Sequence, residues 1–212
     1  MLSKFEIYKA ELIRWNQRFN LTSITDPQEI QIKHFEDSLS VLKVIKLKDQ
    51  SVIDIGCGAG FPGIPLKIAC PQIKLTLVDS VEKKINFLNH MVKILALKDV
   101  RVILSRAEEL PFEFREAYDV AVARAVKKLG ILCEYCLPYV KVGGIFMALK
   151  SEKVETEVNL AIKAINLLGG KFKEVKKIKV SDMTRSLVLI EKIKETPRKY
   201  PRRAGIPAKR PL

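Results

Sequence analysis

Residues 54–63 read Asp-Ile-Gly-Cys-Gly-Ala-Gly-Phe-Pro-Gly, and this stretch decides the fold. It overlaps the end of a short apolar segment, 51–55, that reads as a β-strand, and a helical pattern over 62–69 follows it. Glycines at such a turn permit a tight backbone and let a ligand approach the main chain closely. We therefore expect a ligand-binding loop at the carboxyl end of the first strand of an α/β sheet.

The glycine spacing leaves three interpretations open. Residues 58–63 match the dinucleotide pattern GxGxxG, whereas residues 54–60 match the acid-led DxGxGxG pattern of S-adenosylmethionine enzymes. Counted from Gly56, which directly follows the strand, the dinucleotide pattern needs a glycine where Phe61 stands, and this favours the second interpretation. A purely structural glycine turn is the third.

Strands alternate with helices along the rest of the chain, which predicts a Rossmann-like α/β fold with helices on both faces of a mostly parallel, seven-stranded sheet. The last two strands have no helix between them and are expected to form an antiparallel hairpin at the edge. The predicted strands cover residues 51–55, 74–79, 100–104, 118–123, 145–149, 172–180 and 186–192.

Two helices are predicted before the sheet. One covers residues 3–19, and the other begins at Asp26-Pro27, where an aspartate can cap and proline fits the first turn. Apolar residues at positions 32, 35, 39 and 42 indicate the buried face of the second helix. The chain thus divides into an N-terminal helical extension, 1–50, a core, 51–192, and a basic C-terminal tail, 193–212.

Two acidic positions fit a nucleoside ligand. Asp79 ends the second predicted strand, 23 residues after Gly56, where a carboxylate can accept hydrogen bonds from ribose hydroxyls. It could also cap the helix predicted over 82–97. Ala107-Glu108 follows the third strand, where an adenine would lie, although Glu108 could equally be an ordinary first-turn acid.

The net charge of +14 is concentrated near the C-terminus. The last 62 residues carry 16 basic and 7 acidic side chains. A polyanionic partner is indicated, with nucleic acid first and an anionic membrane second, against a merely solvated tail. Prolines at 197, 201, 207 and 211 are expected to keep the tail extended along a phosphate backbone. The predicted RNA-binding residues are Arg198, Lys199, Arg202, Arg203, Lys209 and Arg210.

Other features exclude several classes of protein. No apolar run is long enough for a membrane span, and four cysteines are too few for a disulfide scaffold. Cys133 and Cys136 fall on the apolar stripe of one helix, which indicates core packing and no metal site. We expect a monomeric, cytoplasmic protein that uses no metal and does not bind a membrane.

The ordered motifs resemble the bacterial small-subunit ribosomal RNA methyltransferase G family, formerly called glucose-inhibited division protein B. The resemblance covers nearly the whole chain and differs at Cys57, where the family usually has serine or threonine. The matching motifs are Trp15-Asn16 with Asn20-Leu21-Thr22, residues 34–39, residues 54–65, residues 119–125, and the C-terminal signature in 199–212.

The resemblance implies a class I methyltransferase that transfers a methyl group from S-adenosylmethionine to N7 of one guanine in a 16S rRNA loop. Guanine N7 carries a lone pair and no proton, so no catalytic base is expected, and Arg124 is a candidate for positioning only. A methyltransferase with another substrate and a non-catalytic RNA-binding or ribosome assembly factor are the alternatives. The candidate cofactor-binding residues are Gly56, Gly58, Gly60, Phe61, Asp79, Ser80, Ala107, Glu108 and Arg124.

Overall fold

The computed structural model describes residues 2–124 and 127–212, and the predicted seven-stranded sheet lies at its centre. The strand order is β3-β2-β1-β4-β5-β7-β6. Ala125, the last residue of the fourth-strand motif, lies outside the described residues. The strands are β1 (Ser51–Ile55), β2 (Lys74–Asp79), β3 (Val100–Leu104), β4 (Tyr118–Ala123), β5 (Val140–Ser151), β6 (Gly170–Val180) and β7 (Met183–Lys192).

The strand pairing explains where a ligand can bind. Strands β1 to β5 are parallel neighbours, so their carboxyl ends share one edge of the sheet. The predicted antiparallel hairpin is confirmed, but of its two strands only β6 lies at an edge of the sheet, because β7 lies between β5 and β6. The continuous apolar run 187–190 accounts for this, because it is buried on both faces.

Helices cover both faces of the sheet, as predicted. One face packs against α1 (Lys4–Phe19), α4 (Gly63–Ala69) and α5 (Glu82–Ile94). The other packs against α6 (Leu129–Cys136), which buries Cys133 and Cys136 in the core, and α7 (Glu155–Leu167). No helix in the described ranges is long and apolar enough to cross a bilayer.

The second predicted helix starts as expected and then departs from the α-helical pattern. Asp26 caps α2 (Pro27–Glu29) by accepting from the backbone N–H groups of Gln28 and Glu29 at 2.9 and 2.8 Å. Residues 30–36 are π-helical, and α3 (Asp37–Leu39) and a 3₁₀ turn follow. A π-helix turns less per residue than an α-helix, which rotates the later side chains.

The buried face of this second helical segment is therefore more polar than predicted. His34, Asp37 and Ser38 are buried together with Phe35, whereas the other three predicted apolar positions, 32, 39 and 42, are only half-buried. Buried polar side chains require hydrogen-bonding partners. Those partners lie at the carboxyl edge of the sheet.

The C-terminal tail is not the extended arm that its prolines predicted. Tyr200 and Pro207 are buried, and the segment ends in the short helix α8 (Ile206–Lys209). Arg202 forms an ion pair at 2.6 Å with Glu134, a buried residue of α6. A buried carboxylate needs such a partner, and this requirement outweighs the extended preference of the prolines.

Candidate cofactor and acceptor site

The glycine loop presents its backbone to a cavity at the end of β1. Gly56, Gly58 and Gly60 have φ angles of +70°, +61° and +100°, a region that side chains other than glycine rarely occupy. An added Cβ would meet no atom within 4 Å at Gly56 or Gly58, so these two residues face open space. At Gly60 an added Cβ would lie 2.7 Å from Tyr8 Oη, so a glycine is required there for the loop to pack against α1.

Two buried side chains hold the loop in place. Tyr8 Oη of α1 donates to the Ala59 carbonyl at 2.5 Å, and Asp54 Oδ2 accepts from the Gly63 N–H at 2.7 Å. Burial raises the pKa of Asp54 to about 7, although the Gly63 hydrogen bond opposes this shift. Asp54 Oδ1 is buried with no hydrogen-bond partner among the described residues. It is therefore available to an ordered water or to a donor group of a ligand.

Asp79 joins β2 to the glycine loop. Its carboxylate accepts from the Gly58 N–H at 2.9 Å and from the Val81 N–H at 3.0 Å, and Lys84 Nζ lies 3.5 Å away. The hydrogen bond to Val81 satisfies an N–H group at the start of α5, so Asp79 also has the helix-capping role that the sequence allowed. The side chain is 6% exposed and lines the cavities described next.

Two cavities meet at Gly56, Asp79 and Ser80. The inner cavity, of about 260 Å³, is also lined by Ala107 and Glu108. The outer cavity, of about 720 Å³, is also lined by Gly58, Phe61 and Arg124. Eight of the nine predicted cofactor-binding residues therefore line one continuous cleft, and only Gly60 lies beneath it.

Phe61 connects the loop to the N-terminal helices. Its ring stacks on His34 with a centroid distance of 4.2 Å and on Tyr8 with a centroid distance of 5.2 Å. The Arg124 guanidinium carbon lies 5.0 Å from the same ring centroid. These contacts fix a cation and an aromatic ring beside the outer cavity.

Arg124 is the centre of a polar network that sequence reasoning missed. Its guanidinium donates to the Lys33 carbonyl at 2.8 Å, to Asp37 Oδ2 at 3.0 Å and to His34 Nδ1 at 2.9 Å. Asp37 is fully buried and also accepts from Arg185 Nε of β7 at 2.5 Å. The network therefore joins the N-terminal extension to the sheet at two points.

The hydrogen bonds fix the protonation state of His34. Arginine can only donate, so Nδ1 must accept, and Nε2 carries the proton that faces Thr22 Oγ1 at 2.9 Å. Burial and the neighbouring Arg124 charge lower the pKa of His34 to about 3. His34 is thus neutral at physiological pH, and its one basic nitrogen is occupied.

A third cavity, of about 540 Å³, lies on the other side of Arg124. It shares Arg124 and His34 with the outer cavity and is also lined by Asp37, Lys150 and Arg185. Lys150 Nζ donates to the Lys127 carbonyl and pairs with Glu157, both at 2.8 Å. His34 and Asp37 occur in a family-like motif, but Lys150 and Arg185 carry no local signal in the sequence.

The predicted RNA-binding residues differ in their exposure. Arg198, Lys199, Arg203, Lys209 and Arg210 are exposed, whereas the guanidinium of Arg202 is engaged by Glu134. RNA contact by these residues stays a prediction.

The fold and cleft define a class I S-adenosylmethionine-dependent methyltransferase. The open backbone of the glycine loop and the carboxylate at the end of β2 fit a ligand with ribose hydroxyls and a charged amino acid end. The fold is similar to that of M. jannaschii TYW2 in complex with AdoMet, with a TM-score of 0.60, 16% identity, and 75% and 76% of the two chains covered. The fold is also similar to that of a SAM-dependent methyltransferase from Aquifex aeolicus, with a TM-score of 0.60 and 22% identity, over 81% of this chain and 96% of that chain.

Residues 1–188 match the model of the family described as rRNA small subunit methyltransferase G. The chain is 48% identical to the ribosomal RNA small subunit methyltransferase G of Acetivibrio thermocellus, over 100% of this chain and 88% of that protein. It is 50% identical to the protein of the same name from Alkaliphilus metalliredigens, over 97% of this chain and 88% of that protein. The chain belongs to this family. The predicted family, fold class and cofactor are confirmed.

Proposed function

We propose that this enzyme methylates N7 of one guanine in a loop of 16S rRNA in the small ribosomal subunit, acting as a monomer in the cytoplasm. The observation that carries the proposal is the position of Arg124 between the cofactor cleft and the third cavity. The N7 and O6 edge of guanine is read best by arginine and lysine donors. The third cavity offers four such side chains, Lys33, Arg124, Lys150 and Arg185.

The cofactor-binding residues divide by the cavity that they line. Asp79 would hold the ribose hydroxyls, Ala107 and Glu108 would hold the adenine, and the loop backbone at Gly56 and Gly58 would hold the amino acid end. When bound, S-adenosylmethionine supplies an electrophilic methyl group on its sulfonium. Arg124 and Phe61 lie at the open side of this cleft, where the acceptor base must enter.

The residues around the acceptor orient it and move no proton. The only basic nitrogen of His34 accepts from Arg124, and the Asp37 carboxylate is held by two arginines. Guanine N7 already carries a lone pair in the plane of the ring, so this arrangement is sufficient. Alignment of reacting groups of this kind is worth roughly 7–11 kcal/mol of the activation barrier.

The experiment that tests this function is single-turnover transfer from labelled S-adenosylmethionine to 16S rRNA, with 23S rRNA as the matched control. We expect label in 16S rRNA alone and a rate that is nearly flat between about pH 6 and 9, because the proposed transfer uses no general base. Saturating cofactor is required, because Asp54, with a pKa of about 7, becomes charged over this range and can change cofactor affinity.

Two results would contradict the proposal. Equal labelling of both RNAs would refute the assigned substrate. A bell-shaped rate profile centred near neutrality, with folding and RNA binding unchanged, would show that the site holds a general base.

A further inference from the structure

The C-terminal tail forms part of the wall of the inner cavity. Gly205 and Ala208 line this cavity together with Ser80, Ala107 and Glu108, the residues assigned to the adenosine side of the cofactor. These wall residues lie within the C-terminal signature that resembles the family, in a segment whose charge predicted an RNA-binding arm.

Several hydrogen bonds fasten the tail to the cofactor site and to α6. The Gly205 N–H donates to Glu108 Oε1 at 3.0 Å, which connects the tail directly to a predicted cofactor residue. The fully buried Glu134 accepts from the backbone N–H, Nε and Nη2 of Arg202 at 2.9, 2.8 and 2.6 Å. Arg115 Nη1 donates to the Tyr200 carbonyl at 2.7 Å.

The same short segment exposes its cations. Arg203 and Lys209 flank the cavity-lining Gly205 and Ala208 in sequence, and Arg198, Lys199 and Arg210 are exposed as well. In residues 196–212 there is no acidic side chain to neutralise this charge. One backbone segment therefore contributes to the cofactor cavity and carries a positive surface suited to phosphates.

We propose that residues 197–212 complete the adenosine pocket and that RNA bound to their exposed cations strengthens cofactor binding. The inference rests on the proposed RNA contact of the tail. If RNA binds more tightly to the protein when the tail is docked, RNA binding increases the population with a complete pocket. The coupling is reciprocal, so the cofactor must strengthen RNA binding by the same factor. A coupling of about 5- to 50-fold is expected for such a device.

The wall is tested without RNA by measuring the affinity for S-adenosylhomocysteine, which cannot be consumed. Deleting residues 197–212 is expected to weaken this affinity by about 10-fold or more, because the Gly205 bond to Glu108 and one side of the cavity are lost. The deletion also uncovers Glu134 and can destabilise the fold. Gly205→Pro is therefore measured as well, since it removes the N–H donor and forbids the φ of +82° while it keeps Arg202 as the partner of Glu134.

A Gly205→Pro variant that unfolds at the wild-type temperature and binds S-adenosylhomocysteine more weakly would support the role of the tail as a wall of the cavity. A variant that is folded and binds S-adenosylhomocysteine as the wild type does would overturn it.

The coupling is tested by adding unmodified 16S rRNA to the same titration. The wild type is expected to bind S-adenosylhomocysteine about 5- to 50-fold more tightly with RNA present. The triple variant Arg203→Ala, Lys209→Ala, Arg210→Ala should lose most of this gain and bind RNA with a shallower salt dependence, reduced by about 0.7–0.9 in log–log slope for each lost phosphate contact. The matched control replaces three exposed lysines of β6, Lys171, Lys173 and Lys179, with alanine.

Affinity for S-adenosylhomocysteine that does not respond to RNA in the wild type would overturn the coupling. An equal loss in the β6 control and the tail variant would refute the assignment of the coupling to the tail. Failure of the proposed function is distinguished separately, because it appears as absence of methyl transfer to 16S rRNA by the wild type.

Discussion

Replacing Arg124 with alanine is expected to lower the single-turnover rate of 16S rRNA methylation by about 100-fold, the loss typical of a misplaced reacting group. Arg124 borders both the cofactor cleft and the third cavity, and its contacts with Lys33, His34 and Asp37 hold the N-terminal extension beside Phe61. Its removal leaves the buried Asp37 with Arg185 as its remaining arginine partner. The measurement is quench-flow or hand-mixed transfer of label at saturating cofactor.

Two further variants separate positioning from general stability. Arg124→Lys keeps a positive charge near Asp37 but loses the planar fork, so we expect a rate between those of the wild type and the alanine variant. Arg101→Ala removes an exposed arginine of β3 and serves as the matched control. An Arg124→Ala enzyme that remains folded and transfers methyl within about threefold of the wild-type rate would remove Arg124 from the acceptor site.

The second large effect is expected at Asp79. Asp79→Ala should weaken S-adenosylmethionine binding roughly 10- to 100-fold, because each lost charge-assisted hydrogen bond is worth about 1.5–3 kcal/mol. Part of the loss comes from the loop itself, since the Gly58 and Val81 N–H groups lose their acceptor. Calorimetric titration measures the dissociation constant, and Asp79→Asn should retain part of the affinity through its remaining acceptor oxygen.

Asp49→Ala is the matched control for this prediction. Asp49 is exposed and precedes β1, so its removal should leave the affinity unchanged. Unchanged affinity in a folded Asp79→Ala enzyme would contradict the assignment of Asp79 to the cofactor. Tighter binding of NAD than of S-adenosylmethionine by the wild type would contradict the cofactor itself.

The cofactor side of the site could be predicted from sequence because its signals are local. The glycine loop directly follows β1 and Asp79 is the last residue of β2, and the carboxyl ends of parallel strands meet at one edge of the sheet. The hydrophobic period that locates those strands needs only a few consecutive residues. Consequently the glycine loop, Asp79 and the Ala107-Glu108 pair could be predicted from short segments and one topological rule, whereas Phe61, Ser80 and Arg124 were predicted from the family resemblance.

The acceptor side could not be predicted in this way, because its contacts join distant parts of the chain. Asp37 meets Arg124 across 87 residues and Arg185 across 148. The π-helical stretch that turns His34 and Asp37 inward has no hydrophobic period of its own, so the α-helical pattern predicted the burial of Phe35 but not that of His34 and Asp37.

The docked tail was missed for a related reason. Arg202 meets Glu134 across 68 residues, and composition alone showed only charge and proline content. Charge content indicates a class of partner, but it does not report which cation is already paired within the protein. The five exposed cations therefore remain as the RNA-binding prediction, and Arg202 supports the fold.

The most direct test of the account replaces the guanine that receives the label. A 16S rRNA fragment is prepared with 7-deazaguanine at that position, which has C–H in place of N7, and a second with hypoxanthine, which keeps N7 and lacks the exocyclic amine. Methylation at N7 by positioning alone predicts no transfer to the 7-deaza RNA and continued transfer to the hypoxanthine RNA. Transfer to the 7-deaza RNA at the rate of the unmodified fragment would contradict the account.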